Sequence, residues 1–291
     1  MSDFKLYVPL LTLVDSSYTP QEDLIAQHLQ WLRSEGMTGV LALGTTGEFA
    51  NLSVVERKRY LETVLAYSED MDVMVNIGAS GFHDVLELQN HALQYQEQVS
   101  SILWMPPFYY PQADINGLGN LLEQLLENQP LQKPFLLYNY PKMSKISIST
   151  DFLNHYQRLV GMKDTSGDFD WIATVREECP EKQVFVGTDF EAQHSKALGC
   201  AGMISSLSNL FPRLYQEAIS GQTESEEKLK ALSTAFRAYT KIPAMKVYLN
   251  TLNLSTQKCS LTLPFSELAP QEMQALCNQI YHILETEVTC R

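Results

Sequence analysis

Eight short, β-prone apolar runs recur along this chain, and segments with helical spacing separate them. The runs read LYVPLLTLV (6–14), GVLALGTT (39–46), DVMVNIGA (72–79), SILWMPPF (101–108), PFLLYNYP (134–141), LVGMKDTS (159–166), QVFVGTD (183–189) and AGMISSL (201–207). Between them, Gln21–Glu35 places Leu24, Ile25, His28, Leu29 and Leu32 at helical intervals, and Ser53 with Glu56 forms a capping box opening a helix that runs to Glu69. Asp84–Gln96, Gly117–Glu127 and Asp168–Glu178 have the same character. Buried strands that alternate with helices pair in parallel. Eight such units within about 220 residues predict a (β/α)8 barrel over 1–222. The remaining stretch, 223–291, reads as a C-terminal helical appendage built from Glu224–Tyr239, Pro243–Leu252 and Pro270–Glu287.

Composition narrows the function classes. Apolar residues make up 45% of the chain, enough for a full core. The formal net charge is −13 with no basic run, which argues against nucleic acid and anionic membrane surfaces as partners. A small anionic substrate remains compatible, because local donors outweigh a distant net charge. The five cysteines are scattered and odd in number, without C-x-x-C spacing, and predict reduced thiols in a cytoplasmic protein. The six histidines form no cluster, so no metal is implied. No leader and no apolar run long enough to cross a membrane is visible, so a soluble protein is expected.

In a barrel of this kind the C-terminal strand ends build the site. The unusual residues collect there. Run 2 ends in Gly44-Thr45-Thr46-Gly47-Glu48, run 4 enters Pro106-Pro107-Phe108-Tyr109-Tyr110-Pro111, and run 5 ends in Tyr138-Asn139-Tyr140-Pro141. Run 6 carries Lys163 and Thr165, run 7 ends in Gly187-Thr188-Asp189, and run 8 in Ser205-Ser206. Each has an ordinary reading taken alone: a βα turn, aromatic packing, a solvated cation, or Asp189 as a helix cap. Their coincidence on one rim favours chemistry.

A lysine facing a barrel mouth permits Schiff-base formation with a ketone. Only the neutral amine attacks, and a lysine at its ordinary pKa of about 10.4 is about 0.04% neutral at pH 7. Desolvation favours the neutral form. A phenol within reach moves protons, and Tyr138 on the neighbouring strand is the candidate. A carboxylate beside the ketone needs oriented donors, which the Thr45-Thr46-Gly47 turn offers.

These motifs resemble the dihydrodipicolinate synthase / N-acetylneuraminate lyase superfamily of class I pyruvate aldolases. Gly-Thr-Thr-Gly-Glu, Tyr-Asn-x-Pro and the Gly-x-Lys-Asp motif occur in order, and Ile242-Pro243-Ala244-Met245-Lys246 extends the similarity into the tail. The resemblance implies that Lys163 forms the Schiff base with pyruvate, Tyr138 is the acid/base, and Thr45 and Thr46 hold the pyruvate carboxylate, with Thr46 in a proton relay to Tyr138. It implies further that Tyr109 is supplied across a subunit interface of a homo-oligomer, a dimer of dimers. No metal or organic cofactor is called for. Met143 stands where synthases of this family carry a carboxylate-gripping arginine, and Lys142 beside it would point elsewhere in an extended loop. Neutral polyhydroxy aldehydes are therefore expected to condense better than acidic ones. Sialic acid lyases have Asp-Glu after the run-7 glycine, where this chain has Asp189 followed by Phe190. Tyr-Asn-Tyr-Pro is similar to 2-keto-3-deoxygluconate-type aldolases, for which Thr165, Gly187, Asp189 and Ser206 would line the hydroxyl-binding side. The reading is thus a lyase that cleaves a 2-keto-3-deoxy sugar acid to pyruvate and an aldehyde. An N-acetylneuraminate lyase, a dihydrodipicolinate synthase and a keto-acid-binding sensor barrel stay open as alternatives.

Overall fold

The computed structural model describes residues 4–109 and 114–285. Eight parallel strands close into a barrel in sequence order, each paired with the next and the last with the first. They are β1 (Lys5–Pro9), β2 (Gly39–Ala42), β3 (Asp72–Asn76), β4 (Val99–Trp104), β5 (Phe135–Asn139), β6 (Leu159–Asp164), β7 (Gln183–Val186) and β8 (Gly202–Ile204). Helices α1 (Glu22–Ser34), α2 (Val54–Tyr67), α3 (Phe82–Gln94), α4 (Ile115–Asn128), α5 (Pro141–Ser144), α6 (Thr150–His155), α7 (Phe169–Glu178), α8 (Ala192–Ala197) and α9 (Pro212–Ser220) connect the strands or follow them. Then come α10 (Thr223–Arg237), α11 (Lys241–Leu249) and α12 (Pro270–Leu284). The expected fold class is the one observed, a (β/α)8 barrel with C-terminal helices.

The strands are shorter than the apolar runs, because the run ends become mouth loops. Residues 10–14 leave β1, and Val14 bridges to Ser260 and Pro20 instead. The capping box at Ser53 is present, with Glu56 N donating to Ser53 Oγ and Ser53 N to Glu56 Oε2. Among the described residues no helix is long and apolar enough to cross a membrane. Cys179, Cys200 and Cys259 are free thiols, as expected. Cys277 departs from that expectation, being disulfide-bonded; pairing depends on where backbones meet in space, which its sequence spacing does not reveal.

Parallel neighbours in register point to the same side of the sheet, and the register here selects what faces inward. Tyr7, Leu41, Met74, Leu103, Leu136 and Phe185 are buried and fill the barrel interior. Between β5 and β6, Phe135 pairs with Leu159 but Leu136 pairs with Gly161, so Val160 is an extra residue opposite the step. This bulge advances β6 by one residue, and Tyr138 consequently lies opposite Lys163. Without it Tyr138 would face Met162, and Lys163 would point to the barrel's outer side.

The C-terminal helices are tied into the barrel mouth by buried charge. Glu48 ends the Gly44–Glu48 turn in a left-handed conformation (φ 54°). Its carboxylate pairs with the ammonium of Lys246 on α11 and accepts from Thr262. The two side chains of the pair are 2% and 0% exposed. Thr12 donates to the carbonyl of Gly47, and a Cβ at Gly47 would meet the Leu10 carbonyl at 2.7 Å, so β1, the β2 turn and α11 are locked together. Removing one partner strands the other charge away from water. Lys246→Met should therefore destabilise by about 3–5 kcal/mol, whereas Glu48→Gln combined with Lys246→Met should recover much of that loss. Urea unfolding midpoints of the three proteins check this, and equal losses in the single and double variants would refute it.

Candidate active site

A cavity of about 760 Å³ opens at the C-terminal ends of the strands. Lys163 lies in its floor, 5% exposed, and its Nζ sits 4.0 Å from the centroid of the Tyr138 ring. This closeness follows from the bulge register. Asp164, one residue on, points the opposite way, accepting from Asn139 Nδ2 and from the Ser166 amide at 2.9 Å. Asp168 caps α7 by accepting from the Trp171 amide at 3.0 Å. In Lys163-Asp164-Thr165-Ser166-Gly167-Asp168, then, the two carboxylates shape the backbone and the lysine faces the cavity.

Tyr138 is buried, and its hydroxyl lies 3.4 Å from Thr45 Oγ1. Burial pushes the phenol up, but the Lys163 ammonium and the hydroxyls of Thr45 and Thr165 outweigh it and hold the group below its ordinary value of 10.0. Tyr138 is thereby shifted toward the form that accepts a proton. The hydroxyl beside it belongs to Thr45, not to Thr46 as the relay expectation had it. Thr46 lines the cavity without a hydrogen bond to Tyr138 among the described residues. A tight turn aims consecutive side chains differently, which a motif cannot resolve.

Gly187 is what makes room. A Cβ there would meet Thr165 Oγ1 at 2.1 Å and Lys163 Cε at 3.1 Å. Thr165 lines the cavity with its Oγ1 buried and outside good hydrogen-bond geometry. Asp189 and Ser206 line it too, but they are engaged with each other, Ser206 Oγ donating to Asp189 Oδ1 at 2.8 Å. The other Asp189 oxygen accepts from Ser233 at 2.8 Å and pairs with Lys241 of α11. Burial would raise this carboxyl; Lys241, Ser206 and Ser233 together hold it below 3.8. Asp189 is thus an anchor for α11 rather than an open hydroxyl acceptor, and it does not cap α8, whose N-cap is Glu191.

At the outer edge one expectation shifts, that for the loop after Tyr140. Tyr109 is 72% exposed and is not part of its own chain's cavity wall. Phe108 packs edge-on against Phe49 at 5.7 Å, while Tyr110 and Pro111 fall outside the described residues. The loop after Tyr140 is helical rather than extended, so Lys142 faces the cavity and Met143 does not. Sequence reasoning missed Arg237, Lys241 and Met245, which wall the cavity from the C-terminal helices. The signal available was the spacing of Lys241 and Met245, which puts them on one helix face. Among the described residues, no group of three or more His, Cys, Asp or Glu could hold a metal ion.

Fold and site define a (β/α)8 barrel with a lysine–tyrosine pair at the floor of its mouth. The chain belongs to the Dihydrodipicolinate synthetase family, whose sequence profile matches residues 5–283. An uncharacterized DapA-like lyase of Chloroflexus aurantiacus is 29% identical over 92% of both chains. The 4-hydroxy-tetrahydrodipicolinate synthase of Rhizobium meliloti is 29% identical over 86% of this chain and 88% of its own. In fold, the chain is similar to the N-acetylneuraminate lyase of Proteus mirabilis (TM-score 0.87, 22% identity, 97% and 99% covered). It is equally similar to a variant of the 2-keto-3-deoxygluconate aldolase of Sulfolobus solfataricus (TM-score 0.87, 19% identity, 97% and 96% covered).

The position of the Tyr138 phenol depends on the cation beside it. In Lys163→Met the lowering charge is gone while burial stays, so Tyr138 should titrate at higher pH than in the parent. Phenolate absorbance, with Tyr138→Phe as the subtraction control in each background, measures the shift. An unchanged or lower titration would show that Lys163 does not set it.

Proposed function

We propose that this protein is a class I aldolase of the cytoplasm that reversibly cleaves a 2-keto-3-deoxy sugar acid to pyruvate and an aldehyde. The observation that carries this is the Lys163–Tyr138 pair, 4.0 Å from nitrogen to ring centroid on the cavity floor. Neutral Lys163 Nζ attacks the substrate C2, a carbon–nitrogen bond forms, and water leaves to give the iminium. Tyr138, as phenolate, takes the proton from the C4 hydroxyl. The C3–C4 bond breaks, its electron pair moving into the enamine while C4 leaves as the aldehyde carbonyl. A proton returned from Tyr138 to C3 and addition of water release pyruvate and free the lysine. No cofactor enters this sequence.

The amides and hydroxyls of Thr45 and Thr46 serve the carboxylate beside the reacting ketone. Thr165 and the space over Gly187 serve the sugar hydroxyls, and the Asp189–Ser206 pair fixes the wall behind them. The family membership supports a lyase, and the names carried by its relatives, from N-acetylneuraminate lyase to 2-keto-3-deoxygluconate aldolase, fit this class of reaction. We place Tyr109 in the neighbouring subunit's site within a dimer of dimers, in keeping with its exposure and its absence from the cavity of its own chain.

Two experiments test the reading. Borohydride added with pyruvate should leave a reduced adduct on the peptide carrying Lys163, and Lys163→Ala should abolish adduct and turnover; labelling of another lysine would overturn the assignment. Mixing Tyr109→Phe subunits with Lys163→Ala subunits should restore activity, because hybrid dimers then hold one site with neither defect. No recovery after confirmed subunit exchange would mean that Tyr109 does not complete a partner's site.

A further inference from the structure

The barrel holds a second cavity at the end opposite its mouth. Its volume is about 240 Å³, and it is lined by residues that begin strands or precede them, among them Lys5 of β1, Asp72 of β3 and Gln183 of β7. The β3–β4 register selects its innermost polar group. Val73 pairs with Val99 but Met74 with Ser101, so Ser100 is a surplus residue and Ser101 faces the interior beside Met74. Ser101 is 6% exposed and lines this cavity, and its Oγ is buried with no hydrogen-bond partner among the described residues. A buried hydroxyl left unpaired is costly, and a bound partner removes that cost.

The other lining groups define what fits. The Tyr7 phenol donates to Asp72 Oδ2 at 3.3 Å, and Lys5 Nζ donates to the same oxygen at 2.9 Å. Burial and the Asp72 charge raise the phenol, so Tyr7 enters as a neutral hydroxyl that can accept as well as donate. The Lys5 and Asp72 side chains, 55% and 46% exposed, form the rim. Their charges cancel, so an ion entering the cavity would lose water without gaining a net countercharge. Between rim and Ser101 the wall is apolar, made by Met74, Leu136 and Phe185, the last packed edge-on against the Tyr7 ring at 5.6 Å. The space equals that of about eight waters at roughly 30 Å³ each. Waters against three apolar side chains lack partners there, whereas a hydroxylated carbon chain covers them with C–H groups and offers oxygens at both ends.

We propose that this cavity is a noncatalytic binding site for a small neutral polyol, held by Ser101 and Tyr7 in its depth and by Lys5 and Asp72 at its rim. A hydroxyl both donates and accepts, which suits Ser101 and Tyr7. Vicinal hydroxyls at the rim donate to the Asp72 carboxylate and accept from the Lys5 ammonium. No residue lines both this cavity and the one at the mouth, so the site stands apart from the chemistry of Lys163 and Tyr138.

Saturation-transfer NMR on the full chain tests this, with erythritol as the probe and its carboxylate analogue erythronate as the charged comparison. Erythritol should bind saturably with a Kd on the order of millimolar, and more tightly than erythronate. Ser101→Leu, which fills the cavity, should abolish the erythritol signal. Ser101→Ala, which removes only the hydroxyl, should weaken binding by about 2- to 13-fold, the range for one hydrogen bond. Circular-dichroism melts establish that each variant is folded. An affinity unchanged in Ser101→Ala would overturn the site, whatever the leucine variant does. Equal or tighter binding of erythronate would overturn the neutral class of ligand. Absence of saturable erythritol binding by the parent would mean that the cavity holds water alone, and the proposal would fall.

Discussion

A carboxylate and an ammonium, both sealed from water, hold the mouth of this barrel in shape. Glu48 closes the turn whose Thr45 borders Tyr138, and Lys246 comes from a helix nearly two hundred residues later. Neither charge could tolerate burial alone, so the turn and α11 are obliged to form together. The second ion pair, Asp189 with Lys241, ties the same helix to the loop after β7. Between these two fastenings α11 presents Ile242 and Met245 to the cavity. The C-terminal helices are therefore part of the site's wall, and the barrel without them would lack one side of its pocket.

At the floor, a lysine and a phenol define each other. The ammonium sits on the tyrosine's ring face and lowers the phenol against the pull of burial. An isolated buried tyrosine would be a poor base. The neighbouring Thr45 hydroxyl and the void over Gly187 complete an arrangement in which phenol, amine and open space converge within a few ångströms.

The fold was legible in the sequence because βα alternation is a periodic signal, repeated eight times. The rim residues Lys163, Tyr138, Thr45, Thr165 and Gly187 were legible for a related reason, since strand ends in a parallel barrel share one rim. What stayed hidden was of two kinds. Pairings such as Glu48 with Lys246 join residues far apart in the chain, and nothing local announces them. Side-chain directions in short irregular segments were the other kind. Lys142 and Met143 exchanged places relative to expectation because Pro141–Ser144 turns out to be helical, and Thr45 replaced Thr46 beside Tyr138 through the winding of a tight turn.

The bulge at Val160 ties the chemistry to parity. In every other stretch of β6 and β5 a residue's neighbours matter by their nature; here they matter by their number. One surplus residue, itself of no chemical interest, turns the following side chains through half a revolution and brings an amine to the inner face. Gains and losses of residues in the connecting loops leave that count untouched, so the outer loops are free to vary in length as the chain diverges. Within β6 the same freedom vanishes, because an odd change inverts the strand and an even one restores its facing but slides the amine along the barrel axis. Any comparison of this chain with its relatives must therefore keep track of that one silent position before it can match one lysine to another.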